Sequence, residues 1–301
     1  MTMTAATDGQ MTAGRGARSR RVIYELMTRP RSAFGMVIII LMVGAALLAP
    51  WIMPHDPFEQ SFDGLSLAGA PLPPGADFPL GTDLLGRDLA SRLILGTRTS
   101  LIIGILANGI AILLGAGVGI TAGYFGGWIG AVLMRFTDLM MAFPALLLAI
   151  VLAAIFQPSL LIVALVIAMV NWVQMARVIY TETRSLAERD FITVQRALGA
   201  GHLRILFKHL LPHLLSSIVV FGTLGISTTV LLEATLSFLG VGVQPPMPSW
   251  GNIIFENQTY FTTAPWLVFF PGIAILLLAL AFNLVGDALR DILDPTLKGR
   301  H

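Results

Sequence analysis

The chain has 301 residues, of which 55% are apolar and only 12% charged, with a net charge of +2. Soluble domains carry about 25% charged residues, so an ordinary soluble fold is excluded; a mean hydropathy of +0.80 and this length fit about six apolar spans of roughly 20 residues each. The absence of cysteine excludes disulfides and thiolate chemistry, and the histidines have no metal-ligand spacing. The basic balance needs no nucleic acid, because inner loops of membrane proteins are enriched in Arg and Lys.

The first fourteen residues lack periodicity and read as disordered. Residues 21–29 (RVIYELMTR) have two readings, a short amphipathic helix on the inner leaflet or a plain basic anchor. Span 1 is expected at Phe34–Trp51, span 2 at Ser100–Thr121, span 3 at Ile129–Phe156 with Pro144 inside it, and span 4 at Ser159–Val178. Gln157-Pro158 makes spans 3 and 4 a tight hairpin. Span 5 is expected at Leu214–Leu239 and span 6 at Trp266–Leu284. The fold class is therefore all-α, a polytopic membrane protein with six transmembrane helices. Its parts are an N-terminal tail (1–33), a first helix (34–53), an outer segment (54–95), a five-helix core (96–287) and a C-terminal tail (288–301).

Arg and Lys set the orientation. Arg15, Arg18, Arg20, Arg21, Arg29 and Arg31 precede span 1; Arg177, Arg184, Arg189, Arg196, Arg204 and Lys208 lie between spans 4 and 5; Arg290, Lys298 and Arg300 end the chain. Six spans put these on one side together with Arg135, leaving Arg87, Arg92 and Arg98 on the other. Both termini are thus expected in the cytoplasm.

In the outer segment Asp83 is expected to cap the next helix, and Asp88 to pair with Arg92 four positions on. Span 2 carries Gly104, Gly109, Gly115, Gly117, Gly119 and Gly123, which favour close helix packing. Asp138 is expected to pair with Arg135. Glu233 lies within span 5, where a carboxylate is costly and faces protein or water; a pathway or gate role and a hydrogen bond between helices both stand. Gly240–Trp250, with three prolines, reads as a rigid outer loop, and Trp250 and Trp266 as interface markers.

Residues 180–213 (YTETRSLAERDFITVQRALGAGHLRILFKHLLPH) are the one basic, helically patterned stretch between apolar flanks. Leu186, Phe191, Val194 and Leu198 predict a half-buried helix over Thr183–Leu198. Gly199-Ala-Gly201 ends it, and a second short helix, His202–Leu211, leads to Pro212. Such a knob either docks a partner or merely stabilises the bundle.

Six segments in order resemble one family: LGTDLLGRDL (80–89) with GTRTSL (96–101), AGYFGGW (122–128), MRFTDLMMAFPALLLA (134–149), the basic segment, EATLSFLGVGVQPPMPSWG (233–251) and NLVGDALRDILDP (283–295). The chain resembles the permease subunit of a binding-protein-dependent ABC importer of the dipeptide/oligopeptide/nickel branch, the second, DppC/OppC-like, of two paired permeases. The resemblance implies a type I ABC importer permease fold in a bacterial inner membrane. It also implies a homologous permease, two cytoplasmic ATPases that hold the ATP and Mg, and an extracytoplasmic substrate-binding protein, with the 80–93 region either a structured entry to span 2 or a contact for that protein. In the family, a Glu-Ala-Ala…Gly motif resembles the helix that enters a groove on the ATPase. The matching positions here are Thr193, Val194, Gln195 and Gly199, so only the glycine is kept. The resemblance places the coupling segment at 180–212, with Leu198 and Gly199 at the tip, Ala200 among the coupling residues, and Arg196 and Arg204 making charged contacts.

No catalytic constellation and no Gly-rich Lys-Ser/Thr phosphate loop is present in the sequence, so no cofactor is expected in this chain. Short peptides are the expected solute, with nickel complexes, glutathione or another small solute as alternatives. A secondary transporter would show internal repeats and broken helices, and a membrane enzyme would need paired polar residues at matched depth; neither pattern is legible in the sequence.

Overall fold

The computed structural model describes residues 22–293. The stretch read as disordered, most of the N-terminal arginines, Lys298 and Arg300 lie outside these. The helices are α1 (Pro30–Ile52), α2 (Leu89–Phe125), α3 (Gly127–Ala142), α4 (Ala145–Ile155), α5 (Leu160–Ala187), α6 (Asp190–Ala197), α7 (His202–Phe238), α8 (Trp250–Asn257) and α9 (Trp266–Leu293). Residues 22–28 are also helical. Leu26 packs there against Ala288 and Ile292 of α9, and Arg29 pairs with Asp291 at 3.3 Å, so this segment is seated on protein.

Five helices, α1, α2, α5, α7 and α9, are long and apolar enough to cross a membrane, and the α3–α4 pair makes a sixth if it crosses as one span. That pair corrects the expected span 3, because α3 and α4 meet at 90°. The cause is Pro144: the residue before a proline is pushed out of the helical region, and Phe143 is extended at ψ 133°. A four-residue connection then returns the chain into α5, whose cap is the Ser159 hydroxyl accepting from the Ile162 N–H.

Two further boundaries move. α2 starts at Leu89, eleven residues before the expected span, and α7 runs unbroken from His202 through Phe238. The separate second helix of the basic segment is therefore the first turns of α7. Pro212 lacks the N–H that would continue the regular ladder; the preceding stretch, Ile205–Leu210, is wound as a π-helix, with the Leu211 N–H donating to Leu206 O. The expected helix Thr183–Leu198 is likewise split: α5 continues to Ala187, the chain breaks at Glu188–Arg189, and α6 begins at Asp190.

The broadest interface is α2 on α5. Its register follows from Gly115, Gly119 and Gly123, four residues apart and so on one face of α2. A Cβ on Gly115 would meet Trp172 O at 2.5 Å, one on Gly119 would meet Ala176 O at 2.6 Å, and one on Gly123 would meet Thr183 Cβ at 2.7 Å. Small residues let the two backbones approach this closely. Gly109 and Gly117 face open space instead. α2 also holds α7: Asn108 Nδ2 donates to Gly222 O at 2.6 Å, and a Cβ on Gly222 would meet Ile112 Cδ1 at 2.7 Å.

Opposite the basic segment, residues 54–88 form a collar without regular strands; its β-type pairings are the isolated bridges Leu65–Pro71 and Thr82–Asp88. Thr82 ties it together, its hydroxyl donating to Gly64 O at 2.6 Å and accepting from Leu72 N–H at 2.8 Å. The polar roles differ from those expected. Asp88, not Asp83, caps α2, accepting from Ser91 N–H at 2.9 Å. With its oxygens so occupied, Asp88 does not pair with Arg92. Asp83 instead accepts from Arg87 Nε at 2.6 Å and lies 3.4 Å from Arg92 Nε. Both guanidinium groups reach Glu256 Oε2 on α8, Arg87 at 2.8 Å and Arg92 at 2.9 Å.

α8 lies in the stretch after the proline loop and was not expected from sequence. It buries Trp250 completely, and the indole N–H donates to Leu93 O at 3.3 Å. Trp250 is thus a core residue and no interface marker, because α8 packs against α2, α7 and α9. Asp138 also finds a different partner: it bonds Arg177 of α5, while Arg135 is exposed on α3 and makes no ion pair among the described residues. The three-residue spacing leaves Asp138 and Arg135 on neighbouring parts of α3, but the guanidinium that reaches the carboxylate comes from α5.

Candidate functional site

The segment between α5 and α7 folds into a knob with a small core of its own. Ile192 of α6 is fully buried with Ile205, Leu210 and Leu214 of α7 and Ile179 of α5. Burying each such side chain stabilises by about 1.5–3 kcal/mol, which fixes α6 onto the end of the bundle. Arg189 precedes α6 in extended conformation, and its carbonyl accepts from Ile192 N–H at 3.0 Å.

α6 ends in a Schellman motif. Gly199 N–H donates to Arg196 O at 3.0 Å, and Ala200 N–H donates to Gln195 O at 3.0 Å. This pair of bonds needs a left-handed residue at the turn, and Gly199 supplies it at φ 77°. A Cβ on Gly199 would meet nothing within 4 Å, so the requirement is conformational rather than steric.

The sequence pattern placed Val194 and Leu198 on the covered face. They are 53% and 75% exposed, because Ile192 takes the core position one residue off the expected stripe. Leu203 and Phe207 at the start of α7 are 70% and 67% exposed. Arg204 and Lys208 are exposed beside them, and Arg196 on α6 is exposed as well. The knob therefore presents apolar side chains interspersed with cations. An exposed apolar patch rimmed by polar groups marks an interaction surface.

Tyr124, at the end of α2, seats the knob and was missed in the sequence reading. Its hydroxyl and His202 Nδ1 share a 2.9 Å hydrogen bond, and the Arg196 guanidinium lies 5.0 Å above its ring. A cation over an aromatic face adds about 0.5–1 kcal/mol at an exposed site. The available signal was its place in AGYFGGW, where it stands out as the polar-tipped ring among glycines.

Glu233 sits near the far end of α7, five residues before Phe238, and is fully buried. Ser100 Oγ of α2 donates to its Oε2 at 3.1 Å, and Ser237 Oγ donates to its Oε1 at 2.8 Å. Ser237 Oγ in turn accepts from Val243 N–H at 3.1 Å, joining α7 to the proline loop. The structure thus brings Arg196, Leu198, Gly199, Ala200 and Arg204 together at one end of α7, and places Glu233 near the other.

The sequence comparisons accord with this arrangement of helices. Residues 115–299 match the family described as the binding-protein-dependent transport system inner membrane component, and residues 18–74 match the N-terminal TM domain of oligopeptide transport permease C. The chain belongs to this family of permease subunits. It is 43% identical over 265 residues to the di/tripeptide transport system permease DppC of Pseudomonas aeruginosa, covering 88% of each chain. It is 39% identical over 279 residues to the dipeptide permease DppC of Alkalihalophilus pseudofirmus, covering 93% of this chain and 90% of the relative. It is also 41% identical over 260 residues to the glutathione permease GsiD of Pectobacterium atrosepticum, covering 86% and 85%. As a permease subunit, the chain is an ABC-importer membrane component with an all-α, polytopic architecture.

Proposed function

We propose that this permease carries short peptides inward across a bacterial inner membrane, as half of a pathway completed by a second permease. In this reading α3 and α4 cross as one bent span, giving six crossings and two cytoplasmic termini. Two ATPases bind ATP and Mg and drive the cycle; this chain hydrolyses nothing. An extracytoplasmic binding protein delivers the solute to the collar side. The knob is the ATPase contact, with Leu198, Gly199 and Ala200 at its tip and Arg196 and Arg204 making charge-assisted bonds.

The observation that carries this reading is the apolar and cationic face of the knob, held on a motif-capped helix at the end of a 37-residue helix. A rigid projection transmits displacement. A flexible loop does not. The relatives named for peptides support a peptide solute, and the GsiD relative supports glutathione, itself a small peptide, as the second reading. Co-purification from the native membrane tests the assembly: two ATPases and a second permease should accompany this chain, and the reconstituted complex should take up a labelled dipeptide only with ATP. A preparation of this chain alone that shows ATPase activity would overturn it.

A further inference from the structure

The polar groups that the knob and collar leave unused gather along one face of α7. A cavity of about 690 Å³ opens beside its inner end, between α5 and α9, with Glu182, Arg189, His213, Ser217, Phe221 and Arg290 among its lining. Glu182 Oε1 accepts from Ser217 Oγ at 2.7 Å. Carboxylate and guanidinium groups thus share one hollow.

The same face continues outward. Val178 of α5, Phe221 of α7 and Arg290 of α9 all line the cavity. Seven residues outward along each helix stand Asn171, Thr228 and Asn283. Seven residues are close to two helical turns, so each lies on the cavity-facing side, about 10 Å further into the bundle. The three helices are joined at that level. Asn171 Nδ2 donates to Thr229 Oγ1 at 3.1 Å, and Ser227 Oγ donates to Asn283 Oδ1 at 2.9 Å. Thr228 stands between these two bonds and is exposed, as is Asn283. Side-chain amides in mid-span are costly against lipid tails and face protein or water. Two helices contributing amides and a third contributing hydroxyls at one level, above a charged hollow, mark a wetted face.

Resting on the importer reading, we infer that this face of α7 is the chain's share of a water-filled passage, and that the layer Asn171–Thr228–Asn283 is its neutral constriction for a zwitterionic peptide. The amides and hydroxyl exchange hydrogen bonds with the peptide backbone irrespective of its side chains. The cavity beneath offers Glu182 to an ammonium and Arg189 and Arg290 to a carboxylate. A layer without charge lets both ends of a peptide pass, whereas a fixed charge there would hold one end.

The test uses the complete complex in membranes with Thr228→Cys, against a chain that has no cysteine of its own. Met169→Cys is the control: Met169 is also exposed at mid-span on α5, two residues and so about 200° around from Asn171. A water-soluble thiol reagent should modify Thr228→Cys roughly tenfold faster than Met169→Cys, since the thiolate is the nucleophile and apolar surroundings suppress it. Alanyl-alanine should slow the reaction severalfold. Asn283→Cys gives the same measurement should the first variant fail to assemble. A thiol deaf to the water-soluble reagent but labelled by a membrane-soluble maleimide would mean that lipid fills the groove, and would overturn the proposal. Fast labelling that the dipeptide leaves unchanged, in a complex that transports the dipeptide, would overturn the constriction. Uptake by the unaltered complex is measured separately; its absence alongside fast labelling would support the passage and overturn the peptide as its solute.

Discussion

Arg92 and Glu256 meet at 2.9 Å although 164 positions separate them. The contact ties the first turn of α2 to α8, and Arg87 reaches the same carboxylate oxygen from the collar. Arg92 is fully buried, and one of its terminal nitrogens, Nη1, has no hydrogen-bond partner. The arrangement is therefore sensitive to loss of its remaining anions. Glu256→Ala should destabilise by about 3–5 kcal/mol, the range for leaving a buried charge uncompensated. Glu256→Gln should cost less, because an amide oxygen still accepts from both guanidinium groups. Thermal unfolding in detergent checks the order.

Gly199→Val should leave insertion in the membrane intact and abolish ATP-dependent uptake. The position is open in space, so the damage comes from forcing a β-branched residue to φ 77°, a strain of about 1–3 kcal/mol. Relief of that strain breaks the Ala200-to-Gln195 bond and swings Leu198. The measurement is the yield of co-purified ATPase at matched expression; an unchanged yield with unchanged uptake would remove the knob from coupling.

Glu233→Ala should lower stability by about 1–3 kcal/mol, because the Ser100 and Ser237 hydroxyls lose their acceptor in a buried site. Glu233→Gln retains an acceptor and should assemble close to normally. If the glutamine variant is as stable as the parent yet couples ATPase activity poorly to delivered solute, the carboxylate also acts in gating. Full stability and full transport of the alanine variant would refute both roles.

The orientation is open to direct reading with single cysteines. Ala76 of the collar is exposed, and Ala76→Cys should react with an impermeant thiol reagent in intact cells. Ala197 on the knob is exposed too, and Ala197→Cys should react only after permeabilisation. The reverse pattern inverts the topology.

The apolar spans were legible because twenty-residue apolar runs leave little choice of structure. The Gly199 turn was legible because the glycine follows a helical pattern. What escaped the sequence depended on partners distant along the chain. Asp88 and Arg92 have the spacing of an ion pair, but a capping N–H is nearer to one and Glu256 to the other. Asp138 has Arg135 three positions away and yet turns to Arg177 on α5, which local spacing does not reveal. Val194 and Leu198 fit the helical stripe, but the break at Arg189 rotates α6 so that Ile192 faces inward. α8 escaped because its eight residues follow three prolines and carry too short a pattern to stand out. Among the site residues, the tip is an expectation from family likeness, whereas the contacts of Tyr124 with His202 and Arg196 come from the structure alone.

The Asn108–Gly222 contact falls near the midpoint of α7, twenty residues from His202 and sixteen from Phe238. At 1.5 Å per residue, the helix extends about 30 Å to one side of that contact and about 24 Å to the other. The grip is not confined to that level. Toward Phe238, a Cβ on Gly104 would meet Val230 Cγ2 at 2.8 Å, and Ser100 donates to Glu233 at 3.1 Å. Toward His202, Ala116 and Ile120 of α2 pack with Leu210 and Leu214. The two helices are therefore interlocked along their length like the teeth of a rack, and α7 cannot slip lengthwise past α2 without these close approaches colliding.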